Sequence, residues 1–232
     1  MPALVRLIGA NLLVVVWMSC AGGPTASSSP PTGGAAGGSP AGLPPGTLSL
    51  SANLWKTISG PQDFPLTNDA GGALTFDFPP SPDSMNYLYN TRPPSTIAGR
   101  VMVSLQVITT GAPVFNYMLE PGNTCVTAAT VRPFLWAHQD SPAEFDRWWA
   151  NPLAHQLAAG SATLTVPLTA DQWSSVNGKF GNADASATAG FQAALKSVTS
   201  LGLTFGGGCF FGHGVNVRGG TARFVLSKYE VG

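Results

Sequence analysis

The chain has 232 residues, and its eleven Lys and Arg balance eleven Asp and Glu at a formal net charge of zero. Only 9% of the residues are charged, against about 25% in an average soluble domain. That argues against a nucleic-acid partner, which needs clustered Lys and Arg to neutralise phosphates. Low charge with many Thr, Ser, Gly and Val residues suits a secreted β-rich protein better than a cytosolic enzyme.

At the amino terminus a single basic residue, Arg6, precedes the apolar run Leu7 to Met18. A basic start, a short apolar core and small residues after it describe an export signal. The run is too short for a membrane span, which takes about 20 apolar residues. It ends in Trp17-Met18-Ser19-Cys20-Ala21-Gly22. This resembles the lipobox of bacterial lipoproteins, although Trp17 stands where that pattern usually has Leu. The resemblance implies that Cys20 is the lipid anchor and first mature residue, and that Ala21, in place of Asp, directs the protein to the outer membrane. Ordinary signal-peptide cleavage after Ala21, with secretion, is the alternative. Residues 21–46 are almost entirely Gly, Ala, Ser, Thr and Pro and lack aromatic and charged side chains. Such a stretch has too little apolar surface to fold and reads as a tether. The organisation expected is therefore a signal over 1–20, a tether over 21–46 and one domain over 47–232.

Once Cys20 is acylated or removed, Cys125 and Cys209 remain. An even pair in an exported domain reads as a disulfide, with two buried thiols as the alternative. A long closed loop of this kind stabilises by roughly 4–5 kcal/mol in the chain-entropy model.

Within the domain, Thr47–Ser51, Ala73–Phe78, Asn86–Tyr89, Arg100–Thr109, Val114–Leu119 and Val131–Ala137 are short runs rich in β-branched and aromatic residues. Turn-forming clusters such as Gly71-Gly72 and Pro79-Pro80-Ser81-Pro82 separate them. From Arg100 to Thr109, Val101, Val103, Leu105 and Val107 alternate with more polar neighbours, the period of a strand with one buried face. Ser141-Pro142-Ala143-Glu144 has the form of a helix start and predicts a helix to Trp149, with Phe145, Trp148 and Trp149 on one face. Ser161–Leu168 alternates again. Thr169-Ala170-Asp171-Gln172 predicts a short helix through Trp173, and Ala185–Val198 a longer one carrying Phe191, Leu195 and Val198. The closing segment, Ser200 to Val231, reads as strand, glycine-rich loop, short strand, turn and strand.

Many short strands with few helices between them predict a mainly β protein, an antiparallel β-sandwich or jelly roll. The order of elements, ending in SLGLTFGG, a loop and TARFVLSKYEV, resembles galactose-binding-like and carbohydrate-binding-module domains. That resemblance implies a jelly roll with a glycan as ligand, and it allows a structural calcium ion in the sandwich. The residues themselves call for no cofactor.

The candidates for chemistry are few. Gly206-Gly207-Gly208-Cys209-Phe210-Phe211-Gly212-His213-Gly214 lacks the Gly-Lys-Ser/Thr ending of a phosphate loop. It reads as a tight connection, with His213 left over as a candidate ligand contact. His138 and Asp140, with Glu144 and Asp146 nearby, lack the spacing of a metal motif. No carboxylate pair is singled out for glycoside cleavage. Trp136, Trp148 and Trp149, with Phe134, form the densest aromatic group. Such rings either stack on sugars or fill the core. The function expected is an exported, lipid-anchored envelope protein that binds a glycan without catalysis, with His213 and these three tryptophans as candidate contacts. The alternatives are an envelope protein that binds a protein partner, and an enzyme acting on polysaccharide at a pocket built from His138, Asp140 and a second acid.

Overall fold

A computed structural model describes residues 46–60, 64–117, 128–151, 154–207 and 213–232. Among them the strands are β1 (Trp55–Gly60), β2 (Thr67–Asn68), β3 (Leu74–Asp77), β4 (Ser84–Asn90), β5 (Arg100–Tyr117), β6 (Ala129–Trp136), β7 (Arg147–Ala150), β8 (His155–Gln156), β9 (Gly160–Pro167), β10 (Trp173–Ser175), β11 (Ser200–Gly207) and β12 (Val215–Val231). The α-helix is α1 (Ala185–Ala194), and the pairings between named strands are antiparallel.

Pairing runs β10-β7-β6-β11-β4-β1 on one side and β2-β3-β12-β5-β9 on the other. The two sets join where β12 meets β4, through the single pair Val215 and Met85. Away from that join the sets pack face to face. Phe205 of β11 meets Phe76 of β3 and Phe224 of β12 edge-on, with ring centroids 5.5 and 5.3 Å apart. Trp55 of β1 lies 5.7 Å from Tyr229 of β12. The fully buried Tyr229 hydroxyl donates to the Gly202 carbonyl at 3.1 Å and ties the two layers together. The architecture is an antiparallel β-sandwich.

The alternation in β5 does what its period requires. Val101, Val103, Leu105 and Val107 are buried, and Gln106 and Ile108 are exposed. The two runs expected at Arg100–Thr109 and Val114–Leu119 belong to one strand as far as Tyr117, because β12 pairs along nearly its whole length. The turn expected near Gly219 is instead an irregularity within β12, with a register shift between Arg218 and Gly220. Gly219 and Gly111, on the facing strand, have φ of 77° and 78°, a region costly for other residues.

The helix predicted from Pro142 to Trp149 is not formed. Glu144–Asp146 makes one 3-10 turn, and Arg147–Ala150 is strand β7. The Ser141 hydroxyl accepts from the Ala143 amide at 3.1 Å, two residues on. It closes a local turn and does not cap a helix, a competition open to any Ser before a helix start. As a strand, β7 sends Trp148 and Trp149 to opposite faces. The same replacement occurs at Ala170–Gln172, one 3-10 turn leading into β10. Helix α1 does form. The Asp184 carboxylate accepts from the Ala187 amide at 2.9 Å and pairs with Lys179 at 2.7 Å. Its buried Phe191 lies between Trp148 and Trp173, at 5.1 and 6.2 Å.

Candidate functional site

The set β10-β7-β6-β11-β4-β1 has two faces, and residues directly opposite one another in an antiparallel pair share a face. One face carries Val131, Leu135, Trp148, Leu201, Leu203, Phe205, Leu88 and Trp55 into the main core. The other is built from the alternate positions. Across its middle run Ser174, Trp149, Phe134, Gly202, Tyr89 and Lys56 in register. On either side lie Arg147, Trp136 and Ser200, and then Arg132, Thr204, Tyr87 and Ile58.

Phe134, Trp136 and Trp149 form a second apolar cluster on this face, separate from the core. The part-buried Ile58, Tyr87, Tyr89 and Val176 pack against it. The rings are in close contact. Tyr87 lies 4.9 Å from Trp136 and 5.1 Å from Phe134, and Phe134 lies 4.5 Å from Trp136. Gly202 sits between Phe134 and Tyr89 for a steric reason. A Cβ there would overlap the Leu88 carbonyl oxygen and come within 2.7 Å of Tyr89 Cα.

The face is cationic. Arg132, Arg147 and Lys56 occupy it, three of the chain's eleven Lys and Arg, and none of its paired positions holds an acid. Arg132 is buried, and desolvation pulls its pKa down to about 10, which leaves it protonated at neutral pH. Its Nη2 donates to Thr130 Oγ1 at 3.1 Å. Burial raises the pKa of Tyr87, opposed by the Thr204 and Trp149 side chains and by the charge of Arg147. Two buried donors, Trp136 Nε1 and Arg147 Nε, have no hydrogen-bond partner. A buried donor left so costs about 1–3 kcal/mol.

One residue beyond Trp136 and Arg147 the sheet opens into a cleft of about 580 Å³ lined by His138, Gln139, Asp140, Ser141, Asp146 and Thr199. The Ala137 amide donates to the Asp146 carbonyl at 2.7 Å, which carries the β6–β7 pairing one step past the strands. His138 Nδ1 lies 3.5 Å from Asp146 Oδ2, with the imidazole mostly exposed. The Thr199 hydroxyl donates to the Ala137 carbonyl at 2.8 Å. A histidine, two aspartates and two hydroxyl residues therefore share one open cleft.

The candidate residues read from the sequence separate as follows. Trp136 and Trp149 lie on the aromatic face, each 3% exposed. Trp148 lies in the main core, stacked on Phe145 at 5.7 Å, and its Nε1 donates to the Phe145 carbonyl at 2.7 Å. None of the three presents a bare ring to solvent. His213 is half-buried and precedes Gly214, whose amide donates to the Phe205 carbonyl. Phe205 is five residues along β11 from Ser200, the residue opposite Trp136, so His213 lies roughly 17 Å away at about 3.3 Å per residue. Cys20, Cys125 and Cys209 fall outside the described residues, and so do the expected lipid anchor and disulfide. Among the described residues no three His, Cys, Asp or Glu side chains come together to hold a metal.

Tyr87, Tyr89, Arg132, Arg147 and Lys56 were not anticipated. Their signal was present in β6, where Thr130, Arg132, Phe134 and Trp136 alternate with Val131, Pro133 and Leu135. Two sets of large side chains on one strand mean two occupied faces.

Fold and site together define a class: an antiparallel β-sandwich with an aromatic, cationic sheet face outside its core. No protein-family model matches the chain, and comparison with curated proteins and with solved structures finds no match.

Proposed function

We propose that this is an exported, lipid-anchored envelope protein whose β-sandwich binds a glycan without catalysis. The observation that carries the reading is the second face of the β6-containing sheet, where Tyr87, Tyr89 and Ile58 form a part-exposed apolar rim over buried Phe134, Trp136 and Trp149. Aromatic faces suit the apolar faces of sugar rings, and nearby polar groups fix orientation. The apolar run after Arg6 and the Cys20 motif support export and anchoring.

The test is a glycan array and a cell-wall pull-down with the folded domain, beside the variant Tyr87→Ala/Tyr89→Ala. Saturable binding lost in the variant is expected; absence of binding to every glycan refutes the reading. Palmitate labelling compared between wild type and Cys20→Ala tests the anchor on its own, and label retained in the variant refutes it.

The cleft at His138 supports a second reading, an enzyme acting on polysaccharide, because it gathers His138 with Asp140 and Asp146. Release of new reducing ends that stops in Asp146→Asn would favour it. A protein-binding role has less support. The exposed large apolar residues among those described, Ile108 and Val114 on β5 and Phe180 beside β10, do not share one face.

A further inference from the structure

Among the described residues, two of the buried polar groups without a partner belong to residues that stand opposite each other in the β6–β7 register. Trp136 is almost wholly buried and its Nε1 has no acceptor, and Arg147, directly opposite, buries an Nε that has none either. Folded proteins pair nearly all such groups, so two adjacent failures mark a place that something outside the chain occupies. Indole and guanidinium donate and never accept. The missing atoms are therefore acceptors.

Charge narrows the choice further. Arg132, Arg147 and Lys56 lie on this face with no acid among its paired positions. The acid nearest in sequence, Asp146, turns to the cleft and faces His138. An anion beside Trp136 thus meets the Arg147 guanidinium and the indole N–H, and charge-assisted hydrogen bonds from a guanidinium are stronger than neutral ones. Arginine also matches the planar, two-oxygen shape of a carboxylate. Arg147 is only half-buried, so the row opens to solvent at this step, next to the cleft. Tyr87, with its ring 4.9 Å from Trp136, supplies the neighbouring apolar surface.

We propose that Trp136 Nε1 and Arg147 Nε recognise the carboxylate of an acidic saccharide whose sugar ring lies against Tyr87. The inference rests on the glycan-binding reading and names the class of glycan.

The experiment measures binding of the folded domain to polygalacturonate and to the same polymer with its carboxylates reduced to alcohols, by calorimetry at fixed ionic strength. The acidic polymer is expected to bind at least about tenfold more tightly, as befits charge-assisted hydrogen bonds. Trp136→Phe keeps a ring and removes the N–H, and Arg147→Met keeps the stem and removes the guanidinium. Each is expected to reduce that preference to less than about threefold. Equal affinity of the wild type for both polymers overturns the carboxylate site and leaves the glycan reading standing. Binding to neither polymer, with neutral glycans bound on an array, does the same. A silent array as well overturns both. If a variant fails to fold, the wild-type comparison between the two polymers decides alone.

Discussion

Trp148→Ala separates core from binding face most sharply, because the sequence places Trp148 beside Trp149 as equal candidates for ligand contact. In the fold Trp148 is 0% exposed, stacks on Phe145 and meets Phe191 of α1 edge-on. Removing a buried indole costs about 3–5 kcal/mol through lost burial and the cavity left behind. The Phe145 carbonyl also loses its donor, the 2.7 Å bond from Trp148 Nε1, worth about 1 kcal/mol. For a domain of this size each kcal/mol shifts Tm by about 2–4 °C, so a loss of about 4 kcal/mol lowers it by about 8–16 °C. Thermal unfolding followed by far-UV circular dichroism measures it, alongside glycan affinity at a temperature where the variant is still folded. Affinity is expected to stay within about twofold of wild type, since a residue away from the site changes stability and not contacts. A Tm drop below about 3 °C, or full stability with binding abolished, would refute the assignment of Trp148 to the core.

Two further predictions concern the frame around the site. Gly202→Ala puts a Cβ against the β4 backbone at Leu88 and Tyr89, and no rotamer relieves a clash with main chain. The variant is expected to lose about 1–3 kcal/mol in urea unfolding, and stability equal to wild type would show that β4 and β11 are not so close. Asp184 is held below the usual carboxylate range by its hydrogen bond from Lys179, helped by the Ala187 amide and the Ser186 hydroxyl. A carboxylate with a lowered native pKa contributes stability that is present above its unfolded pKa, near 4, and lost as pH falls through the native value. Asp184→Ala should therefore lower Tm at pH 7 and flatten the fall of Tm below about pH 4; parallel curves for variant and wild type would count against the cap.

The sequence made some of this legible and hid the rest for physical reasons. The buried valines of β5 show their period because β5 has one face in the core and the other exposed near its start. Helix α1 could be read because Asp184 caps it and Phe191 anchors it. The region from Pro142 to Trp149 misled because Ser-Pro-x-Glu favours a helical turn locally, whereas pairing with β6 and β10 claims Arg147–Ala150 as a strand. Tertiary pairing overrides so short a local preference. The candidate site was half visible. Trp136 and Trp149 were singled out as aromatics; Arg132 and Arg147 share their strands and faces, but Tyr87 is brought beside Trp136 only by strand register. Register between β4 and β11 joins residues more than a hundred positions apart, and no local pattern encodes it.

The position of β12 also governs when this fold can exist. It pairs with β3, β4 and β5 while its Tyr229 reaches the other layer. Until that segment is available, β5 lacks its longest partner and the two halves lack the Val215–Met85 join. Long-range pairing of this kind makes folding slow, because loop-closure entropy must be overcome before the contacts form. A chain in which the β12 segment has not yet been made therefore holds only an unclosed sandwich, with the pairing edges of β3 and β5 still open.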